Sequence, residues 1–122
     1  MMMEKKKALI VDDSSLARMM IRKFFADGFK DWELLEAKDA QDALEKSEGV
    51  FFHLALIDFN MPGMNGIDLA EKMMERQPGL AIYLVTANIQ ERMQLRAQSM
   101  GIGFIRKPID LVKITSAMQG LA

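Results

Sequence analysis

His53-Leu54-Ala55-Leu56-Ile57-Asp58 and Leu80-Ala81-Ile82-Tyr83-Leu84-Val85-Thr86 are apolar almost throughout, and each closes on a polar residue. A half-exposed strand alternates apolar with polar side chains, so runs this uniform fit strands covered on both faces, as in a parallel sheet wrapped by helices. Working outward, Lys7 to Asp12, Glu33 to Ala37 and Ile102 to Arg106 supply three more short strand candidates. Stretches of helical period separate them. Ser14 or Ser15 can cap a first helix in which Leu16, Met20 and Phe24 share a face, and Gly28 ends it. Asp39 can cap the second. The third runs from about Gly66 to Arg76 and stops before Pro78-Gly79, a pair that cannot continue a helix. The fourth covers roughly Ile89 to Met100 and is closed by Gly101, and the last starts near Asp110, carries Leu111, Ile114 and Met118 on one stripe and reaches the end of the chain. Strand and helix thus alternate five times, which predicts a single α/β domain, a doubly wound sandwich over residues 1–122.

Composition narrows the function. Half of the 122 residues are hydrophobic and 27% are charged, which suits a globular rather than a disordered chain. The formal net charge of −1, with mixed signs, lacks the broad basic surface of non-specific nucleic-acid binding, so no direct nucleic-acid partner is expected. Cysteine is absent, which excludes disulfides and thiolate metal sites. The opening Met1-Met2-Met3-Glu4-Lys5-Lys6-Lys7 is followed only by Ala8 to Val11 before two aspartates intervene, too short an apolar run for a signal peptide. No other run approaches a membrane span, and a cytoplasmic location is expected.

Parallel βα crossovers are right-handed, so the loops that follow the strands gather at one edge of the sheet, where ligands bind. The residues that end the strands are Asp12 and Asp13, Asp58, Thr86 and Lys107. Three carboxylates held close together repel one another unless a cation lies among them. Magnesium suits an open aspartate cluster, because it takes oxygen ligands, keeps several waters and commonly uses one or two carboxylates plus a phosphate oxygen. A carboxylate is also a competent phosphoryl acceptor when a metal and a cation neutralise the charge on the transferring oxygens. Lys107 supplies the cation, and the Thr86 hydroxyl can donate to a phosphoryl oxygen. Taken singly, adjacent aspartates read as turn or cap residues, Thr86 as a β-branched strand residue and Lys107 as a solvated charge. Their joint placement at strand ends is what argues for a site.

Val11-Asp12-Asp13-Ser14, Asp58-Phe59-Asn60-Met61-Pro62-Gly63-Met64-Asn65-Gly66, Val85-Thr86-Ala87 and Lys107-Pro108 after Phe104 occur here in the order found in the receiver domains of two-component response regulators. The chain resembles that family, in its chemotaxis-type, CheY-like form, from Ala8 to about Gly120. The resemblance implies a flavodoxin-like (βα)5 fold with strand order 2-1-3-4-5. It implies Asp58 as phosphoacceptor, Asp13, Asp58 and the Asn60 carbonyl as Mg2+ ligands, and Asp12 acting through water. Lys107 would contact the acceptor and then the phosphoryl group. Thr86 would move toward the phosphoryl oxygen and draw Phe104 inward. Lys107-Pro108 resembles the family's cis peptide, and Asn60 and Asn88 occupy positions that tune phosphoryl lifetime. Partners implied are a sensor histidine kinase or phosphotransfer protein upstream and, downstream, a protein partner or output domain on the fourth helix, fifth strand and fifth helix, with Arg92, Arg96 and Gln98 on that face.

Three departures stand beside this. The switch aromatic is Phe104 rather than tyrosine, Phe59 stands where some relatives carry tryptophan, and the sole tryptophan, Trp32, lies before the second strand. His53, the sole histidine, precedes an apolar strand and reads as structural. The 12 methionines read as packing residues that can also serve an adaptable surface. A phosphatase of related layout would need a general acid two residues beyond Asp58, where Asn60 stands, so no enzymatic turnover of an external substrate is expected. A constitutive interaction module, or a receiver cut from a longer regulator, remain the competing readings.

Overall fold

The computed structural model describes residues 5–88 and 90–119. The elements alternate as β1 (Lys6–Val11), α1 (Ser15–Gly28), β2 (Trp32–Ala37), α2 (Ala40–Lys46), β3 (Leu54–Asp58), α3 (Gly66–Arg76), β4 (Ala81–Thr86), α4 (Glu91–Ser99), β5 (Gly103–Arg106) and α5 (Leu111–Gln119). The five strands form one parallel sheet in the order β2-β1-β3-β4-β5. All five residues of β3 are buried, because it lies at the centre with β1 on one side and β4 on the other.

Each sheet face carries its own core, as the two-faced apolar runs require. Ile21 and Phe25 of α1 and Ile114 and Ala117 of α5 pack with Ala8, Ile10, Leu54, Leu56 and Val85 on one face. On the other, α2, α3 and α4 bring Ala43, Leu69, Met73, Met93 and Ala97 against Leu9, Val11, Ala55, Ile57 and Leu84. Two caps follow the sequence signals: Ser14 accepts from Ala17 N and Asp39 from Asp42 N, and Asn65 adds a third by accepting from Asp68 N, each satisfying a free amide in a first helical turn. Gly101, at φ +74, supplies the left-handed residue after α4.

On α1, Leu16, Met20 and Phe24 share a face as read; Leu16 and Met20 on it are exposed, Phe24 packs partly buried against the core, and the fully buried residues are Ile21 and Phe25, one position on. On α5, Ile114 is buried while Leu111 is exposed and rests over Gly28. The fourth helix starts at Glu91, and its expected first residue, Ile89, lies outside the described residues, as do 1–4 and the chain end at 120–122. His53 is structural: its Nδ1 accepts from Lys7 N at 3.1 Å, and its amide donates to Lys7 O at 2.8 Å. No helix among the described residues is long and apolar enough to cross a membrane.

Candidate functional site

The carboxyl ends of β1, β3, β4 and β5 bring Asp12, Asp13, Asp58, Thr86 and Lys107 to one edge of the sheet. Carboxylate oxygens of Asp12, Asp13 and Asp58 all lie within 4.8 Å of one another. Asp12 and Asp58 are buried and Asp13 is exposed, so the cluster opens to solvent on one side. Lys107 Nζ stands 3.0 Å from Asp58 Oδ1 and 3.9 Å from Asp12 Oδ2. The closer contact is an ion pair, so the buried Asp58 Oδ1 is met by Lys107. Burial pushes the Asp58 carboxyl above its ordinary range, and the neighbouring Asp12 and Asp13 charges add to this against the opposing pull of Lys107.

The loops are fixed from several directions. Asp12 Oδ1 accepts from Ser14 N at 2.9 Å, and the Asp12 amide donates to Ala37 O of β2 at 3.1 Å. Gly66 opens α3 against the end of β3. A Cβ there would lie 2.5 Å from the Asp58 carbonyl oxygen and 2.8 Å from Phe59 Cα, so only glycine lets the helix start this close to the acceptor strand. The Lys107–Pro108 peptide is cis.

Thr86 is buried, and its hydroxyl donates to Asn88 O at 2.9 Å while accepting from Asn88 N at 3.2 Å, so in this state it serves its own loop. Phe104, half-buried on β5, packs against the core beneath α3 and α4. Asn60 and Asn88 are exposed in the loops after β3 and β4. Of the residues expected on the fourth-helix face, Arg96 is already engaged, 3.0 Å from both Asp68 and Glu71 of α3. Sequence reasoning missed Arg18, whose Nη1 donates to the Asp12 carbonyl at 2.6 Å. A backbone acceptor carries no side-chain identity, so spacing alone holds no signal for that contact.

An all-oxygen donor set of three carboxylates in mutual reach, open to solvent on the Asp13 side and countered by one lysine, fits a hard divalent cation. Fold and site together define an α/β phosphoryl-receiving switch. The response regulator receiver domain model matches residues 8–119, and the chain belongs to that family. The chain is 38% identical over 106 residues to a chemotaxis protein CheY of Pseudomonas aeruginosa, covering 84% of each. It is 32% identical over 115 residues to a glycerol metabolism activator of Pseudomonas putida, where it covers 93% of this chain and spans about half, 52%, of the relative. Among solved structures, a CheY-like receiver domain protein of Methanospirillum hungatei superposes with a TM-score of 0.86 at 28% identity, covering 95% of this chain and 92% of that one. The chain is thus a phosphoreceiver domain of two-component signalling, in a family whose members bind magnesium at the acidic site and are generally switches rather than enzymes.

Proposed function

We propose that Asp58 takes the phosphoryl group from a phosphohistidine of a sensor kinase or phosphotransfer protein. The observation that carries this is its burial at the end of the central strand, beside two further carboxylates, with Lys107 Nζ at 3.0 Å from its Oδ1. The ionised carboxylate attacks phosphorus, an O–P bond forms, and the P–N bond to the donor imidazole breaks with its electron pair staying on that nitrogen, the proton already on the other ring nitrogen letting the imidazole leave neutral. Lys107 offsets negative charge on the transferring oxygens, a charge worth most in a partly desolvated site. Asp13, Asp58 and the Asn60 carbonyl would hold Mg2+ directly and Asp12 through water. When bound, the ion neutralises the crowded carboxylates and polarises the phosphoryl oxygens.

The switch follows from Thr86. To donate to a phosphoryl oxygen, its hydroxyl must give up Asn88 O, which couples occupancy of the site to the loop before α4. Phe104 then fills the space behind it, within a core that includes Met93 and Ala97 of α4. The entry to that helix is its loosest point, because its cap residue Gln90 makes no side-chain bond, while Arg96 further along ties it to α3. Output through α4, β5 and α5 to a protein partner or an attached domain is the reading this supports. Exposed Asn60 and Asn88 would flank the phosphoryl group and set its lifetime, and no external substrate is turned over.

Intact mass after incubation with a small acyl phosphate, with and without magnesium, tests the proposal. One labile phosphoryl group that needs both magnesium and Asp58 is expected. Equal uptake by Asp58→Ala, or none by the native chain under conditions where another receiver reacts, would overturn it.

A further inference from the structure

Arg18 lies on α1 with its side chain only 19% exposed, and it joins three elements. Its Nη1 donates to the Asp12 carbonyl at 2.6 Å, and its Nε stands 3.3 Å from Glu36 Oε1 on β2. The second Glu36 oxygen accepts from Arg22 at 2.9 Å, and Lys46 donates to the Glu36 carbonyl at 2.9 Å, so Glu36 is itself held in place. The backbone of Asp12 is therefore pinned twice from the β2 side: by its own amide to Ala37 and by Arg18 at its carbonyl. Just past that carbonyl the chain delivers Asp13, and the Asp12 side chain turns to Ser14 N and toward Lys107.

A guanidinium can serve a carbonyl and a carboxylate at once through separate N–H groups, which an ammonium on a flexible stem does less well. The Arg18 charge is balanced by Glu36, so its action on the cluster is directional rather than a matter of field. Three like-charged carboxylates have no reason of their own to stay together. Their separation has to be imposed by the backbone.

We propose that Arg18, backed by Glu36, is a positioning residue for the acidic cluster: it fixes the β1–α1 turn so that Asp12 and Asp13 stand where a divalent cation needs them. The inference rests on reading the cluster as a magnesium-assisted phosphoryl site. Arg22 provides an internal control, since it shares Glu36 but does not touch Asp12.

The test compares the native chain, the charge-conserving double variant Arg18→Met with Glu36→Gln, Arg18→Lys and Arg22→Met. Magnesium affinity is read by calorimetry without a phosphodonor, and phosphoryl uptake from a small acyl phosphate is then followed against magnesium. Outer-shell partners typically contribute at least tenfold to metal affinity, so the double variant is expected to bind magnesium on the order of tenfold more weakly. Its uptake rate at saturating magnesium stays within about twofold of native. Arg22→Met keeps native affinity. Native affinity in the double variant, or equal weakening in Arg22→Met, overturns the proposal and leaves Arg18 a plain helix-to-strand staple. If the double variant does not fold, Arg18→Lys carries the test: weakened binding supports the proposal and native affinity sinks it. A native chain that binds magnesium but takes no phosphoryl group would refute the phosphoacceptor reading while calorimetry still judges Arg18. A native chain that binds no magnesium sinks both.

Discussion

At the amino-terminal edge of the sheet, Gln77 reaches from the end of α3 to donate to Val50 O at 2.7 Å and to accept from Phe52 N at 2.9 Å. His53 closes the same edge by pairing with both backbone groups of Lys7. At the opposite edge, the buried Asp58 carboxylate has one lysine against it, two more carboxylates crowd it, and the nearby threonine hydroxyl is spent on its own loop. Like charges held together cost energy, and a cluster that persists signals a use. One edge holds the chain together, and the other sets three carboxylates against a single lysine.

Substitutions sharpen that contrast, beginning with the most damaging. Gly66→Ala drives a Cβ into the backbone of Asp58 and Phe59, which cannot step aside as a flexible side chain would. A loss of about 3 kcal/mol is expected in urea denaturation, together with loss of phosphoryl uptake. Gln77→Ala leaves Phe52 N and Val50 O unsatisfied at the quiet edge, so it should cost about 2 kcal/mol in the same assay while uptake at saturating phosphodonor stays native. Uptake that falls as steeply as stability would break the distinction between the edges.

Removing charge from the acidic edge should do the reverse. Asp58→Asn relieves the crowding and is expected to raise the melting temperature by a few degrees at neutral pH without magnesium. Because burial holds the folded-state carboxyl above its unfolded value, folding binds a proton there, and the penalty is full above the folded pKa. As pH falls through that raised value toward the ordinary carboxylate range, the native chain should gain on Asp58→Asn and the gap in melting temperature should close. Added magnesium should close it too, by stabilising the native chain through binding. A gap that widens on acidification would reverse the sign assigned to Asp58.

Much of this edge was legible before the fold was known. β3 and β4 announce themselves because residues 54–58 and 81–86 are covered on both sides, and their last residues then fall at one edge by topology alone. The end of α3 follows from Pro78-Gly79 as stop, while its Asn65 cap was seen only in the fold. The face of α1 did not follow. Leu16, Met19, Met20, Ile21, Phe24 and Phe25 cover so much of its circumference that only the sheet opposite selects Ile21 and Phe25. Nor did the engagement of Arg96 with α3, or the hold of Arg18 on Asp12, since both depend on partners distant in sequence or on backbone atoms.

The most direct test locates the phosphoryl group. After reaction with a small acyl phosphate and magnesium, borohydride reduction converts the aspartyl phosphate to homoserine, and peptide mass mapping finds the changed residue. Conversion at Asp58 alone is expected. Conversion at Asp12 or Asp13 with Asp58 unchanged would contradict the assignment of the buried, lysine-paired carboxylate as the acceptor.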